Sequence, residues 1–182
     1  DENGYPIYIT KAFEIANKHA PNLSLVFNQH GGMEPKMWRQ VKKTILYLKS
    51  KGLRVNGLGW QAHLRSNQPL ANDSSQLKFL GELVDWAHKN DLDFHVTEID
   101  YRIEDKTNSN EALEKQAQAY SNILAVLLSK KDQGVVTFNT WGMVDGKPGP
   151  HHNKQRFIFD AELKPKPAYY AIKKTIINQS LN

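Results

Sequence analysis

Glu98 and Asp100 close an apolar stretch of strand character, DFHVTEID at 93–100, and their placement invites chemistry. In a strand alternate side chains share a face, so Glu98 and Asp100 are predicted to point together, with Phe94 and Val96 beside them and Thr97 and Ile99 opposite. The same alternation turns His95 away from Glu98 and makes it structural. Carboxylates at a strand's C-terminal edge are costly to bury unpaired, so the pair reads as a solvated cap, a structural ion pair or a site. Three further stretches end alike, with polar or aromatic groups: Asn28-Gln29-His30, Gln61-Ala62-His63 and Asn139-Thr140-Trp141.

Regular elements must position these groups. Residues 7–20 set Ile7, Ala12, Phe13, Ile15 and Ala16 at near-helical spacing and stop at Pro21-Asn22. A strand at 24–28 follows, then a helix opened by Glu34-Pro35 that runs through Trp38, Val41, Ile45 and Leu48 to Gly52. In the strand at 55–61, Gly57 and Gly59 permit close backbone approach. Ser74 is the expected N-cap of a helix reaching Asn90. The strand at 93–100 precedes a helix at 111–130, a strand at 134–143 and a helix at 168–177. One helix followed by four strand–helix units implies a parallel sheet, either doubly wound and open or part of a (β/α)8 TIM barrel. Four chemically loaded strand ends favour the barrel, whose active sites draw residues from several strands. A full barrel needs eight units and about 250 residues, so this chain is expected to be one domain, residues 1–182, supplying a half-barrel.

Composition narrows the function classes. Lys and Arg number 24 against 19 Asp and Glu, but Lys42, Lys43, Lys49 and Lys51 lie on an amphipathic helix and read as its solvated face, so no nucleic-acid partner is expected. No apolar run approaches the roughly 18 residues of a membrane span. No GxGxxG or phosphate-binding loop follows a strand, so no nucleotide cofactor is expected. The absence of cysteine excludes disulfides and thiolate metal sites. His151 and His152 sit in a Gly-Pro-rich loop with no acidic partner at ligand spacing, and no metal is expected there. A start at Asp1 rather than methionine fits a processed or partial chain.

Four ordered segments resemble family 10 of the glycoside hydrolases. GLGWQAHL (57–64) is similar to that family's GIGMQSHL-type segment, FHVTEID to its ITELDI segment, and VTFNTWGMVDG with FDAELKPKPAYYAI (159–172) to its TVWGVTD and FDxxxxPKPAYxAI segments. AFEIANKHAPNLSLVFN resembles the helix leading to a strand that ends in asparagine. The resemblance covers nearly the whole chain as strands five to eight of the barrel, its C-terminal half. It implies a retaining endo-β-1,4-xylanase acting on xylan or xylo-oligosaccharides, with Glu98 as nucleophile and no cofactor. It further implies that His63 hydrogen-bonds and helps ionise Glu98, that Asn28 and Gln61 bond sugar hydroxyls, and that Trp141 offers an apolar face to a pyranose ring. The plainer readings are Trp141 as core and His63 as a structural histidine.

Departures from the family pattern carry consequences. The general acid/base glutamate belongs to an asparagine-glutamate pair after strand four, ahead of Asp1, and Glu2-Asn3 has the reverse order. Gln29-His30 replaces the usual Asp-Tyr, and the loop at 145–155 lacks the usual Ser-Trp. An N-terminal half-barrel polypeptide, or a second copy of this chain, is therefore the expected partner, because open strand edges and apolar strand faces at Leu25, Phe27, Val96 and Phe138 would otherwise be exposed. The alternative is a non-catalytic carbohydrate-binding half-barrel. An external polymer as substrate implies a secreted or periplasmic location.

Overall fold

The structure is a computed structural model that describes residues 4–67, 73–104, 109–146 and 155–180. Glu2, His151 and His152 lie outside these. Its elements in chain order are α1 (Ile7–His19), β1 (Val26–Gln29), α2 (Pro35–Ser50), β2 (Gly57–Trp60), β3 (His63–Arg65), α3 (Ser74–Lys89), β4 (Asp93–Arg102), α4 (Asn110–Leu128), β5 (Val136–Thr140) and α5 (Pro167–Ser180). Every expected helix and strand is present. β3 was not expected as a separate strand, and the cap of α3 is Asp73, one residue before Ser74, whose carboxylate accepts from the Ser75 amide at 2.8 Å.

β1 pairs with β2, β2 with β4 and β4 with β5, all parallel, while β3 joins β4 beyond the end of β2. Apart from short β3, which follows β2 without a helix and pairs with β4, neighbours in sequence are thus neighbours in space, each step crossing through a helix, which is the winding of a barrel arc rather than of a doubly wound sheet. One core lies between sheet and helices. Trp38, Val41, Ile45 and Leu48 of α2 and Leu80, Leu83, Val84 and Ala87 of α3 pack with Leu58, Trp60, Phe94 and Val96. The helical three-and-four spacing in the sequence is therefore the buried stripe.

The faces of the sheet differ from the expectation. Phe27 stacks on Phe13 of α1 and Phe138 meets Tyr120 of α4 edge-on, and Val96 is fully buried in the core under the helices. These apolar groups are covered by helices rather than presented inward. The inward face carries Val26, Asn28, His95, Thr97 and Thr137. Its glycines are required: a methyl group at Gly57 would lie 2.8 Å from His95 Nε2, and one at Gly59 2.7 Å from Asn28 Oδ1. Side chains reaching across from β1 and β4 fill the room those glycines leave.

Two tryptophans fix the turn after β1. Trp38 Nε1 donates to the Gly32 carbonyl and Trp60 Nε1 to the Gly31 carbonyl, each at 2.8 Å. Gly31 has φ +98°, a conformation that favours glycine. Asn28 therefore enters the site from a tethered strand end.

Candidate active site

Regular alternation fails at the residue that matters most. The four steps from Val96 to Asp100 on β4 face the three from Trp60 to His63 on β2 and β3, and the three from Val96 to Ile99 face two from Phe138 to Thr140 on β5. β4 carries one extra residue against both neighbours, a β-bulge, which re-aims side chains. Thr97 keeps the inward face with His95 that alternation gives it, and the bulge turns Glu98 next to it to the same side. The expectation that Glu98 sits with Phe94 and Val96, opposite His95 and Thr97, is corrected on this ground.

The opposing chain is also interrupted. Gln61 lies half-buried between β2 and β3 with its amide donating to the Gln29 carbonyl at 2.9 Å, and Ala62 follows at φ +60°, a conformation uncommon for a residue with a Cβ. That kink starts β3 and carries His63 over β4, with Cα partner Asp100.

Five side chains converge at this point. Asn28 Nδ2 donates to Glu98 Oε1 at 3.1 Å, and Asn28 Oδ1 accepts from the Thr97 hydroxyl at 3.0 Å. His63 Nε2 lies 3.2 Å from Glu98 Oε2, while its Nδ1 lies 3.1 Å from Asp100 Oδ1. Both Glu98 oxygens are thus held, yet its side chain keeps 17% of its surface open, against 4% for Asp100. The two carboxylates take different roles on exposure alone: Glu98 can meet a ligand, and Asp100 can meet only its partners. Neutral imidazole has one N–H, so satisfying both carboxylates requires one further proton, on the ring or on a carboxyl.

Trp141 follows β5 and is 58% exposed, its ring edge-on to His63 at 5.7 Å. It is not core. The structure thus brings Glu98, His63 and Asn28 into direct contact with Trp141 beside them, and leaves Gln61 at the kink. His95 sits deeper on the inward face, with Nδ1 3.0 Å from Thr137 Oγ1, and burial lowers its imidazole below the ordinary histidine range against a smaller opposing effect of Asp93. Sequence reasoning missed Thr97: alternation gives its direction, but its company with Glu98 depends on the bulge. It also gave Asp100 no partner, although its two-residue spacing from Glu98 was visible. Among the described residues no group of three or more His, Asp or Glu side chains is arranged so that it could hold a metal ion.

A parallel arc whose strand ends carry the chemistry defines a portion of a (β/α)8-barrel protein. The chain belongs to glycosyl hydrolase family 10, whose family model matches residues 2–175. Among curated relatives it is 32% identical over 172 residues to exoglucanase XynX of Acetivibrio thermocellus, covering 92% of this chain and 15% of that protein. It is 25% identical over 174 residues to an endo-1,4-beta-xylanase of Geobacillus stearothermophilus, covering 91% of this chain and 52% of that protein. The crystal structure of xylanase 10B from Thermotoga petrophila, in complex with xylobiose, superposes with a TM-score of 0.81 at 27% identity, covering 96% of this chain and 52% of that one. The chain therefore spans about half or less of the length of these relatives.

Proposed function

We propose that this chain is the C-terminal half, strands five to eight, of a retaining endo-β-1,4-xylanase in which Glu98 is the nucleophile. The observation that carries the reading is the hold on Glu98: an amide on one oxygen, an imidazole on the other, at an open strand end beside an exposed tryptophan. A retaining glycosidase needs one carboxylate to attack the anomeric carbon and a second carboxyl about 5–5.5 Å away to protonate the leaving oxygen. The Asn28 amide and the His63 ring hold the two oxygens of Glu98 in one orientation. Asp100 cannot be the proton donor, because it is buried and bound to His63. The donor belongs to a strand outside these residues, on an N-terminal half-barrel supplied by the same protein or by a partner polypeptide.

In this reading His63 keeps Glu98 charged and oriented, Asn28 and Gln61 meet sugar hydroxyls, and Trp141 gives its open face to a pyranose ring. The bond-breaking step moves the leaving oxygen onto the donor's proton as Glu98 forms the glycosyl–enzyme bond. Water then releases the sugar. The names of the relatives, xylanases and an exoglucanase, support a β-1,4-linked polysaccharide, and the xylobiose complex supports xylan. A polymeric substrate fits a secreted or periplasmic protein, which fractionation of the source cells would test.

The test is Glu98→Gln in the protein that also contains the remaining barrel strands. Hydrolysis of xylan, with a β-1,4-glucan in a parallel reaction, should vanish while the melting temperature stays within a few degrees. Turnover comparable to the parent would refute the nucleophile assignment. A parent protein that binds xylo-oligosaccharides without cleaving them would favour the non-catalytic glycan-binding reading.

A further inference from the structure

Behind His63 lies a second layer that the proposed chemistry does not use. Asp100, 3% exposed, faces two nitrogen-bearing side chains: His63 at 3.1 Å and the guanidinium of Arg156, whose Nη1 lies 3.6 Å from Asp100 Oδ2. Arg156 belongs to no helix or strand, yet its main chain is held from β4, from α4 and from the loop residue Asp145. Its amide donates to Asp145 Oδ1 at 2.7 Å, and its carbonyl accepts from the Tyr101 amide at 3.2 Å and the Tyr120 hydroxyl at 2.9 Å. Asp145 is buried, accepts also from the Phe157 amide at 2.8 Å, and takes Lys166 Nζ on its other oxygen at 2.7 Å. A side chain serving solubility alone gains nothing from such an anchorage; one aimed at a buried carboxylate requires it.

We infer that Arg156 is a positioning residue of the Glu98 site, acting through Asp100 and His63 to keep Glu98 ionised in more acid solution. The inference rests on the reading of Glu98 as nucleophile. Wherever the one further proton sits, two carboxyl groups and an imidazole that share it carry one net negative charge, and Arg156 cancels it. Removing that cation makes the cluster bind protons more tightly, so the attacking carboxylate is lost at higher pH. Two other titratable groups around the Arg156 anchorage do not substitute for it. Lys166 is occupied by Asp145, and Tyr120 stays protonated because burial, aided by the charges of Asp100 and Asp145, pushes its phenol well up.

The experiment compares parent, Arg156→Met and Arg156→Lys in the protein containing the whole barrel, following the His63 ring by NMR titration and the pH profile of kcat/KM on xylan. Arg156→Met should move the His63 midpoint and the acid limb of the profile upward, each by about one pH unit. Arg156→Lys, which keeps the charge, should leave both near the parent. Unmoved midpoints in Arg156→Met, with or without a lower melting temperature, overturn the inference, as does an equal shift in the lysine variant. A parent that cleaves no xylan refutes the proposed function, and the His63 titration then still decides whether Arg156 acts on the cluster.

Discussion

Gly59→Ala tests whether the inward face was built around Asn28. The added methyl would stand 2.7 Å from Asn28 Oδ1 and 3.1 Å from both Thr97 Cγ2 and Val26 Cγ1. Val26 and Thr97 are β-branched stems fixed on paired strands, so Asn28 must yield. Yielding strains or breaks its bond from Thr97 and its bond to Glu98. Overpacking costs about 1–3 kcal/mol, and the lost hydrogen bonds add about 1–2 kcal/mol, because exposed Asn28 regains part of its bonding from water. A total of about 3 kcal/mol corresponds to a fall of roughly 6–12 °C in Tm. In the protein that also contains the remaining barrel strands, and on the proposed reading of Glu98 as nucleophile, loss of a donor on Glu98 should also lower kcat on xylan about tenfold, equivalent to about 1.4 kcal/mol. Calorimetric melts and initial rates measure both. The control is Gly59→Ala combined with Asn28→Ala, which removes the obstruction: stability should recover beyond that of Gly59→Ala alone while turnover stays low. A Gly59→Ala protein that melts with the parent, or a double variant no more stable than the single, would refute the packing account.

Two further outcomes follow from buried charge. Lys166→Met leaves Asp145 buried without its cation, so urea unfolding should show a loss of about 3–5 kcal/mol. His95 has a depressed imidazole in the folded chain, so the unfolded chain binds protons more readily. Its contribution is complete above the unfolded value of about 6.5 and is lost as pH falls below it. Unfolding free energies of His95→Gln should accordingly vary less between about pH 5 and 7 than those of the parent, and equal slopes would contradict the assigned burial effect.

The parts legible in the sequence are those governed by period. Helices α2 and α3 showed their buried stripes at three-and-four spacing, and Gly57 and Gly59 announced close approach because nothing else explains two glycines in a buried strand. The converging strand ends of Asn28, His63 and Glu98 were legible for the same reason. Alternation misled where the backbone ceased to alternate: the direction of Glu98 depends on one residue inserted relative to both neighbouring strands, which no single strand reveals. It also inverted the faces of Phe27, Val96 and Phe138, since period two says that two faces differ but not which one meets the helices. Arg156 lay beyond reach because its position depends on Asp145, Tyr101 and Tyr120, far away in sequence and joined only by the fold.

The bulge in β4 has a chemical corollary for ageing. Because Thr97 and Glu98 face the same way, a single amide spans both, its oxygen toward a hydroxyl and its nitrogen toward a carboxylate. Hydrolytic deamidation of Asn28 would exchange that nitrogen for oxygen with almost no change of shape, setting a second acid against Glu98. Damage here would silence the chemistry and, by turning an attractive contact into a repulsive one, weaken the fold around it as well; in stored protein the loss of turnover should track the deamidated fraction of the Asn28 peptide by mass spectrometry, and the melting temperature should fall with it.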